Sequence, residues 1–213
     1  MDISSWSYER SLIPGKDTPY CGVDEAGRGP LAGRVYAAAV ILPDNAPELD
    51  FFKDLNDSKK ISEKKRAALA EKIKEYAKAY CVAWADVGEI EEMNILNAAL
   101  TAMQRAIDGL SVKAEFALID GNRKTGIKIP CETVVKGDAK CPSVSAASIL
   151  AKTERDKYCI EYLDKNFPEY GFAVHKGYGT KAHYAAVDKY GLCEEHRASF
   201  FKKYFEKKDG KIQ

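Results

Sequence analysis

Three short apolar segments of this chain each end in acidic residues close to glycine. They are Val23-Asp24-Glu25, Leu118-Ile119-Asp120-Gly121 and Val135-Lys136-Gly137-Asp138. Ligand sites in open α/β sheets often lie where strands end, so neighbouring strands would bring four carboxylates together. A lone acid at a strand end is more often a turn residue or a helix cap. The pattern therefore predicts an α/β sheet, and a charged site at its edge if the three strands are neighbours.

Strands and helices alternate along most of the chain, which indicates an α/β sheet domain. Apolar runs bounded by turn residues predict strands at 19–25, 33–42, 79–87, 115–120 and 133–136. Helices are predicted from the Ser62 cap to about residue 78, over 89–107 and over 143–165. We expect an N-terminal extension (1–18), the sheet domain (19–165) and a helical C-terminal extension (166–213).

Composition excludes several classes of protein. The 213 residues carry a formal net charge of +1, so bulk charge does not indicate a nucleic-acid binder. No apolar run reaches the roughly 18 residues that a membrane span needs, and the N-terminus lacks the apolar region of a signal peptide. We expect a cytoplasmic monomer with reduced cysteines, and no zinc site, because no C-x-x-C pair occurs among the six: Cys21, Cys81, Cys131, Cys141, Cys159 and Cys193.

A cluster of Asp24, Glu25, Asp120 and Asp138 would need positive charge to stay ionised. Oxygen ligands without histidine or cysteine favour Mg²⁺ or Mn²⁺. Two such ions suit the hydrolysis of a phosphodiester. From the residues alone, this interpretation stands beside the simpler one, in which the acids are turn residues and caps.

Six ordered blocks resemble bacterial ribonuclease HII from residue 22 to residue 200: GVDEAGRGPLAG, LNDSKK, LIDGN, KGDAK, SAASILAKTERD and HKGYGTKAH. The resemblance implies an α/β fold with an RNase H-like mixed β-sheet flanked by helices. It also implies that 166–213 complete a substrate groove. The implied activity is endonucleolytic cleavage of RNA in RNA–DNA hybrids, and cleavage 5′ of ribonucleotides embedded in duplex DNA, leaving 3′-hydroxyl and 5′-phosphate ends.

The resemblance also assigns roles to individual residues. Asp24, Glu25, Asp120 and Asp138 correspond to the catalytic carboxylates, which hold two Mg²⁺ or Mn²⁺ ions in the substrate complex. The family's glycine-arginine-glycine turn falls on 27–29 (Gly27, Arg28 and Gly29) and reads the ribose 2′-hydroxyl, the group that distinguishes RNA from DNA. Its sugar-stacking tyrosine falls on Tyr178. Other members often carry proline where this chain has Gly179.

The sister family, ribonuclease HIII, usually has an additional N-terminal domain and lacks the arginine of the turn. The short stretch before the first predicted strand and the presence of Arg28 therefore favour HII. A rival interpretation is a non-catalytic hybrid-binding module of the same fold. Four intact acids count against it, because a pure binder gains nothing from negative charge facing phosphates.

Several further residues are candidates for substrate contact. From the residues alone, Lys59 and Lys60 are the solvated basic start of a helix. Their match to the LNDSKK block of the family predicts instead that one of them contacts a phosphate. Ser145 and Ser148 share one helical face, where they would either bond phosphates or allow close packing.

We expect no direct catalytic role for His175, His183 and His196, because a metal-activated water needs no general base. His196-Arg197 is predicted to brace the terminal helices. The aromatic segment 200–205 is predicted to pack inward as an amphipathic helix rather than to contact nucleic acid or a sliding clamp.

Overall fold

A single mixed sheet forms the centre of the molecule. The computed structural model describes residues 1–122, 126–208 and 210, so the predicted C-terminal extension ends partly outside the described residues. The strands lie in the order β3-β2-β1-β4-β5, with bounds β1 (Tyr20–Ala26), β2 (Val35–Ile41), β3 (Ala79–Ala85), β4 (Phe116–Asp120) and β5 (Cys131–Val134). The described α-helices are α1 (Ile3–Ser11), α2 (Glu63–Tyr76), α3 (Val87–Asp108), α4 (Pro142–Tyr158), α5 (Asp164–Asn166), α6 (Phe172–His175), α7 (Lys181–Tyr190) and α8 (Ala198–Lys208).

The direction of the strands decides where the acids meet. β1 runs antiparallel to β2, which runs antiparallel to β3, whereas β4 and β5 run parallel to β1. The carboxyl ends of β1, β4 and β5 therefore share one edge of the sheet. Val23 pairs with Ile119, so Asp24 and Asp120 follow at matching positions. The predicted mixed α/β sheet flanked by helices is confirmed.

Both faces of the central strands are buried. In β2, Ala37 and Ala39 pack with α3 on one face, while Ala38 and Val40 pack with α2 and α4 on the other. The alternation follows from the two-residue period of a strand. Helix α4 approaches β1 closely at Gly22, where a Cβ atom would lie only 2.2 Å from the carbonyl carbon of Ser143. Glycine at this position lets the helix that carries Ser145 and Ser148 lie directly on β1.

The C-terminal segment packs against one end of the sheet domain. Phe172 and Phe201 are fully buried in a cluster that also contains Leu31, Ala32 and Tyr36. The aromatic residues of α8 contribute to this cluster, as predicted. The backbone of 195–197 bonds to 31–33, and Ala32 and His196 form an isolated β-bridge.

Several element boundaries differ from the predictions. The helix predicted over 143–165 ends at Tyr158 and continues as a π turn, Cys159–Leu163, before α5. Helix α3 contains a break at Asn94, whose φ is 69°. Helix α1 was not predicted; Asp2 caps it by accepting from the Ser5 N–H. No described helix is long and apolar enough to cross a membrane.

Candidate active site

Four acidic side chains line one cleft at the carboxyl edge of the parallel strands. Asp24 and Glu25 end β1, Asp120 ends β4, and Asp138 lies in the turn Gly137–Ala139 that follows β5. The cleft has a volume of about 320 Å³. We call it the acid cleft. The cleft forms because β1 and β4 carry acids where they end at one edge of the sheet, and the turn after β5 adds Asp138 at the same edge.

Hydrogen bonds to the main chain hold two of the four carboxylates in place. Asp120 Oδ1 accepts from the Gly137 N–H at 2.7 Å and from the Asp138 N–H at 3.4 Å. Asp120 thereby ties the turn that carries Asp138 to the end of β4. Asp24 Oδ1 accepts from the Glu25 N–H at 2.7 Å. Lys136 directly precedes the turn that carries Asp138. It adopts a left-handed conformation with φ 58°, which begins that turn shortly after β5.

Burial and mutual repulsion make the charges of the acid cleft costly. The pKa of Asp24 lies well above its ordinary value, because the side chain is buried and Glu25 and Asp120 are close. Burial also raises the pKa of Glu25, against the opposing effect of Arg28. The pKa of Asp138 is raised by partial burial and by Asp120. Such a group of acids favours the binding of a cation.

Cationic side chains of the protein compensate only part of this charge. Arg28 contacts Glu25 at 3.1 Å, and Lys59 lines the cleft. Lys152 also lines the cleft, but its Nζ lies 2.6 Å from Asp156 Oδ1. The oxygen donors suit Mg²⁺ or Mn²⁺. Among the residues that the structure describes, no three acidic, histidine or cysteine side chains already form a metal site. Mg²⁺ held by one or two carboxylates usually keeps several waters and binds substrate oxygens.

The glycine turn (27–29) forms the wall of the cleft next to Glu25. Gly27 has a φ of 103°, and a Cβ atom there would lie 2.3 Å from Arg155 Nε. Glycine is therefore required both by the backbone conformation and by the close approach of Arg155. Tyr178 lies opposite Gly29, and its half-exposed ring contacts the guanidinium of Arg155 and the ammonium of Lys152, each 5.8 Å from the ring centre.

Comparison with known proteins gives the family of this chain. The family model for ribonuclease HII matches residues 21–208. A ribonuclease HII from Dechloromonas aromatica is 58% identical over 180 residues, covering 84% of this chain and 89% of its own length. The chain belongs to the ribonuclease HII family. It is accordingly a ribonuclease H enzyme.

Solved structures give the same fold for this ribonuclease HII. The ribonuclease H2 from Pyrococcus horikoshii OT3 matches with a TM-score of 0.72 and 26% identity, over 92% of this chain and all of its own. The ribonuclease HII of Archaeoglobus fulgidus, solved as a complex with PCNA, matches with a TM-score of 0.65 and 25% identity, over 85% of this chain and 93% of its own. A third structure, Bst-RNase HIII in complex with Mn²⁺, shares the fold at 19% identity and a TM-score of 0.61, over 82% of this chain and 63% of its own.

The other predicted contact residues divide into two groups in this ribonuclease HII. Lys59 and Ser148 line the acid cleft, and Ser148 Oγ lies 2.9 Å from Ser58 Oγ. Lys60 is exposed but is not among the residues that line the cleft. Ser145 is fully buried and donates to the Asn56 carbonyl at 3.0 Å. Of the two alternatives for Ser145, this burial and the hydrogen bond to Asn56 favour close packing, and a contact of Ser145 with phosphate stays a prediction.

The three histidines support the Tyr178 loop from behind. The His183 Nδ1–H donates to the Tyr178 carbonyl at 3.0 Å, and His183 Nε2 accepts from His196 Nε2 at 3.0 Å. His196 Nδ1 accepts from the Cys193 N–H at 2.9 Å, which fixes both tautomers. Burial lowers the pKa of His183 and of His196 to about 4, so both are neutral at physiological pH. None of the three histidines lines the acid cleft among the described residues.

Sequence reasoning missed the contact between Arg197 and the glycine turn. It placed Arg197 at the terminal helices, whereas the side chain bonds to carbonyl groups of residues 27–33. The only signal in the sequence is a basic residue, Arg197, close to the aromatic segment 200–205 that is predicted to pack inward. That signal does not say which part of the chain the guanidinium contacts.

Proposed function

We propose that this ribonuclease HII cleaves the RNA strand of RNA–DNA hybrids and nicks duplex DNA on the 5′ side of embedded ribonucleotides. The products would carry 3′-hydroxyl and 5′-phosphate ends. The observation that carries the proposal is the shared cleft, in which four acids lie beside the glycine turn and Tyr178. One site would thus contain the groups that cut a phosphodiester and the groups that select the sugar.

The acids would hold two divalent cations, Mg²⁺ or Mn²⁺. Bound cations would supply activation of water and stabilisation of the leaving oxygen. Asp24, Glu25, Asp120 and Asp138 are the proposed ligands, and the raised pKa values of Asp24, Glu25 and Asp138 support a demand for positive charge there. Asp120 has a second task, because it orients the turn that presents Asp138.

The remaining residues of the cleft would position the substrate. Lys59 and Ser148 are proposed to contact phosphate oxygens beside the acids. The main chain of the glycine turn would bond the 2′-hydroxyl, and Tyr178 would stack on the sugar that follows. Since Tyr178 belongs to the C-terminal extension (166–213), that extension would complete the substrate groove, as the division into 1–18, 19–165 and 166–213 implies.

The deciding experiment is a nicking assay with a metal titration. The substrate is a labelled DNA duplex that contains one ribonucleotide, and Mg²⁺ or Mn²⁺ is added from zero. We expect cleavage 5′ of the ribonucleotide that depends on the metal. An all-DNA duplex of the same sequence is the control and should remain intact.

Two results would contradict the proposal in different ways. Tight binding of the duplex without cleavage at any metal concentration would favour the hybrid-binding module. Equal cleavage of the all-DNA duplex would indicate a nuclease that does not read the sugar. Cytoplasmic location and a monomeric state stay predictions. A sliding-clamp contact is the alternative to inward packing of 200–205, and the PCNA complex of the Archaeoglobus fulgidus relative supports that alternative.

A further inference from the structure

Arg197 occupies the interior of the loop whose exposed side is the glycine turn. Its side chain is completely buried. The guanidinium donates five hydrogen bonds to main-chain carbonyl oxygens: to Gly27 at 2.7 Å, Arg28 at 3.2 Å, Pro30 at 2.7 Å, and Gly33 at 2.7 and 2.9 Å. We call this arrangement the arginine cage. A guanidinium presents its donors in a fixed planar fork, which suits the simultaneous orientation of several acceptors.

The main chain around Arg197 is attached to the same loop. The Arg197 N–H donates to the Leu31 carbonyl at 2.8 Å, and the Gly33 N–H donates to the Glu195 carbonyl at 2.8 Å. The Leu31 N–H donates to the Gly177 carbonyl at 2.8 Å, next to Tyr178. The loop therefore cannot move without moving the C-terminal segment. The arginine cage connects the two walls of the cleft, the glycine turn and the Tyr178 loop.

The planarity of the peptide group links the direction of the carbonyls behind the turn to that of the N–H groups in front of it. In a trans peptide, the carbonyl of one residue and the N–H of the next lie in one plane and point in opposite directions. No cis peptide occurs in the described chain. When Arg197 binds the carbonyls of Gly27 and Arg28 from behind, it therefore turns the N–H groups of Arg28 and Gly29 away from itself, toward the cleft. These are the donors that a sugar hydroxyl would meet.

We propose that Arg197 is a specificity-determining positioning residue, which fixes the direction of the main-chain donors that distinguish ribose from deoxyribose. This inference rests on the proposed function. Arg197 touches neither the acids nor the cleft: among the described residues its side-chain hydrogen bonds go to carbonyl oxygens alone. Its loss should thus weaken the choice of sugar more than it weakens the binding of duplex DNA.

The test measures a preference rather than an activity. Arg197→Lys and Arg197→Gln are compared with the wild-type enzyme for binding to a duplex with one ribonucleotide and to the all-DNA duplex, in Ca²⁺, which we choose to slow cleavage. Both dissociation constants of a variant are scaled by the same fraction of folded protein. Their ratio is therefore independent of that fraction. We expect the ratio to fall about 10-fold or more in Arg197→Lys, because small displacements of positioned groups are costly. Lysine retains the charge but lacks the fork, so this variant serves if Arg197→Gln does not fold.

Arg66→Lys is the matched control. Arg66 is also a buried arginine, but it bonds to Asp156 and to the carbonyls of Ser58 and Ile61 rather than to the glycine turn. For Arg66→Lys, the ratio of the two dissociation constants should equal that of the wild-type enzyme. A wild-type ratio in Arg197→Lys would overturn the inference, as would an equal loss in Arg66→Lys. A wild-type enzyme without any preference would instead contradict the proposed function, so the two failures are distinct.

Discussion

The acid cleft and the arginine cage bury opposite charges on the two sides of one loop. In the cleft, four acids share the partial compensation that Arg28 and Lys59 provide. In the cage, one guanidinium has four carbonyl groups as partners. Burial alone therefore does not distinguish a functional charge from a structural one. The number of partners does, because an uncompensated buried charge is costly and awaits a ligand.

This difference suggests that the acid cleft serves ligand binding and that the arginine cage serves structural support. The acid cleft is expected to reduce stability in the absence of cations, since repulsion among Asp24, Glu25 and Asp120 opposes folding. The arginine cage is expected to add stability and to keep the glycine turn rigid. An enzyme that must recognise one hydroxyl needs such a rigid support beside a site that changes its charge when metal and substrate bind.

The largest expected effect is the loss of turnover when an acid of the cleft is neutralised. Asp120→Asn and Asp138→Asn should each lower the rate of nicking by about 1,000-fold or more, because charge stabilisation at the reacting group is commonly worth this much. The unfolding free energy should not fall. Rates of nicking of a single-ribonucleotide duplex and urea unfolding curves check the two halves of the prediction.

Asp44→Asn is the control for this prediction. Asp44 lies on the surface, where it forms an ion pair with Lys78, so its neutralisation should leave turnover unchanged. Normal cleavage by both Asp120→Asn and Asp138→Asn would contradict the assignment of the acid cleft as the catalytic site.

Stability should change in opposite directions in the two regions. Arg197→Gln should lower the unfolding free energy by about 3 kcal/mol, because a buried polar network loses its donor. Asp24→Asn should leave it unchanged or raise it, because the neutral amide removes repulsion by Glu25 and Asp120. Urea unfolding in the absence of divalent metal measures both. A fall of similar size in both variants would show that the contrast between cleft and cage is wrong.

The acid cleft could be predicted from the sequence because its cause is local. Asp24, Glu25 and Asp120 lie near the ends of apolar strands and Asp138 lies in the turn after the next strand, and parallel strands place such ends at one edge. The arginine cage could not be predicted, because its partners lie 164 to 170 positions away and depend on how the C-terminal segment docks. The alternatives for Ser145 stayed open for a related reason: the spacing of Ser145 and Ser148 predicts a shared helical face, but not what each side chain contacts.

Local predictions also failed where packing overrides propensity. In α2, the apolar Ala67 is exposed, whereas the charged Arg66 is buried against Asp156. The break in α3 at Asn94 leaves no clear mark in the pattern of apolar residues. Its side chain accepts from the N–H groups of Leu96 and Asn97, so Asn94 acts as the cap of a new helical segment.

Glu9 offers a third test of the contrast between compensated and uncompensated buried charges. It is a buried acid that has hydrogen-bond partners and lies outside the cleft. Glu9 accepts from the Tyr20 hydroxyl at 2.7 Å and from the Ser143 N–H at 2.8 Å. Burial, opposed by these bonds, raises the pKa of Glu9 from 4.5 to about 7. The folded state therefore binds the proton more tightly than the unfolded state. The associated stability is present below pH 4.5 and is lost as the pH rises toward 7 and above.

Glu9→Gln should remove this part of the pH dependence. The difference in unfolding free energy between wild type and Glu9→Gln should shift by about 3 kcal/mol between pH 4.5 and 8, with the wild type relatively weaker at high pH. Urea unfolding at several pH values measures it. The acids of the cleft are common to both proteins, so their contribution cancels in the difference. A difference that is constant with pH would mean that Glu9 stays ionised, and that two hydrogen bonds suffice to compensate a buried carboxylate.

The smallest expected effect belongs to Tyr178, which lines the cleft opposite the glycine turn. Its ring faces the cleft and lies against Arg155, whose guanidinium packs behind Gly27. Tyr178→Ala should lower kcat/KM at RNA–DNA junctions by about 10-fold, since stacking on one aromatic ring is worth about 1–3 kcal/mol. Binding of an all-DNA duplex should change less, because the phosphate contacts remain. Tyr178→Phe, which keeps the ring, should behave like the wild-type enzyme. If Tyr178→Ala kept the wild-type preference for junctions, the choice of sugar would depend on the glycine turn alone, and the arginine cage would matter to one wall of the cleft rather than to both.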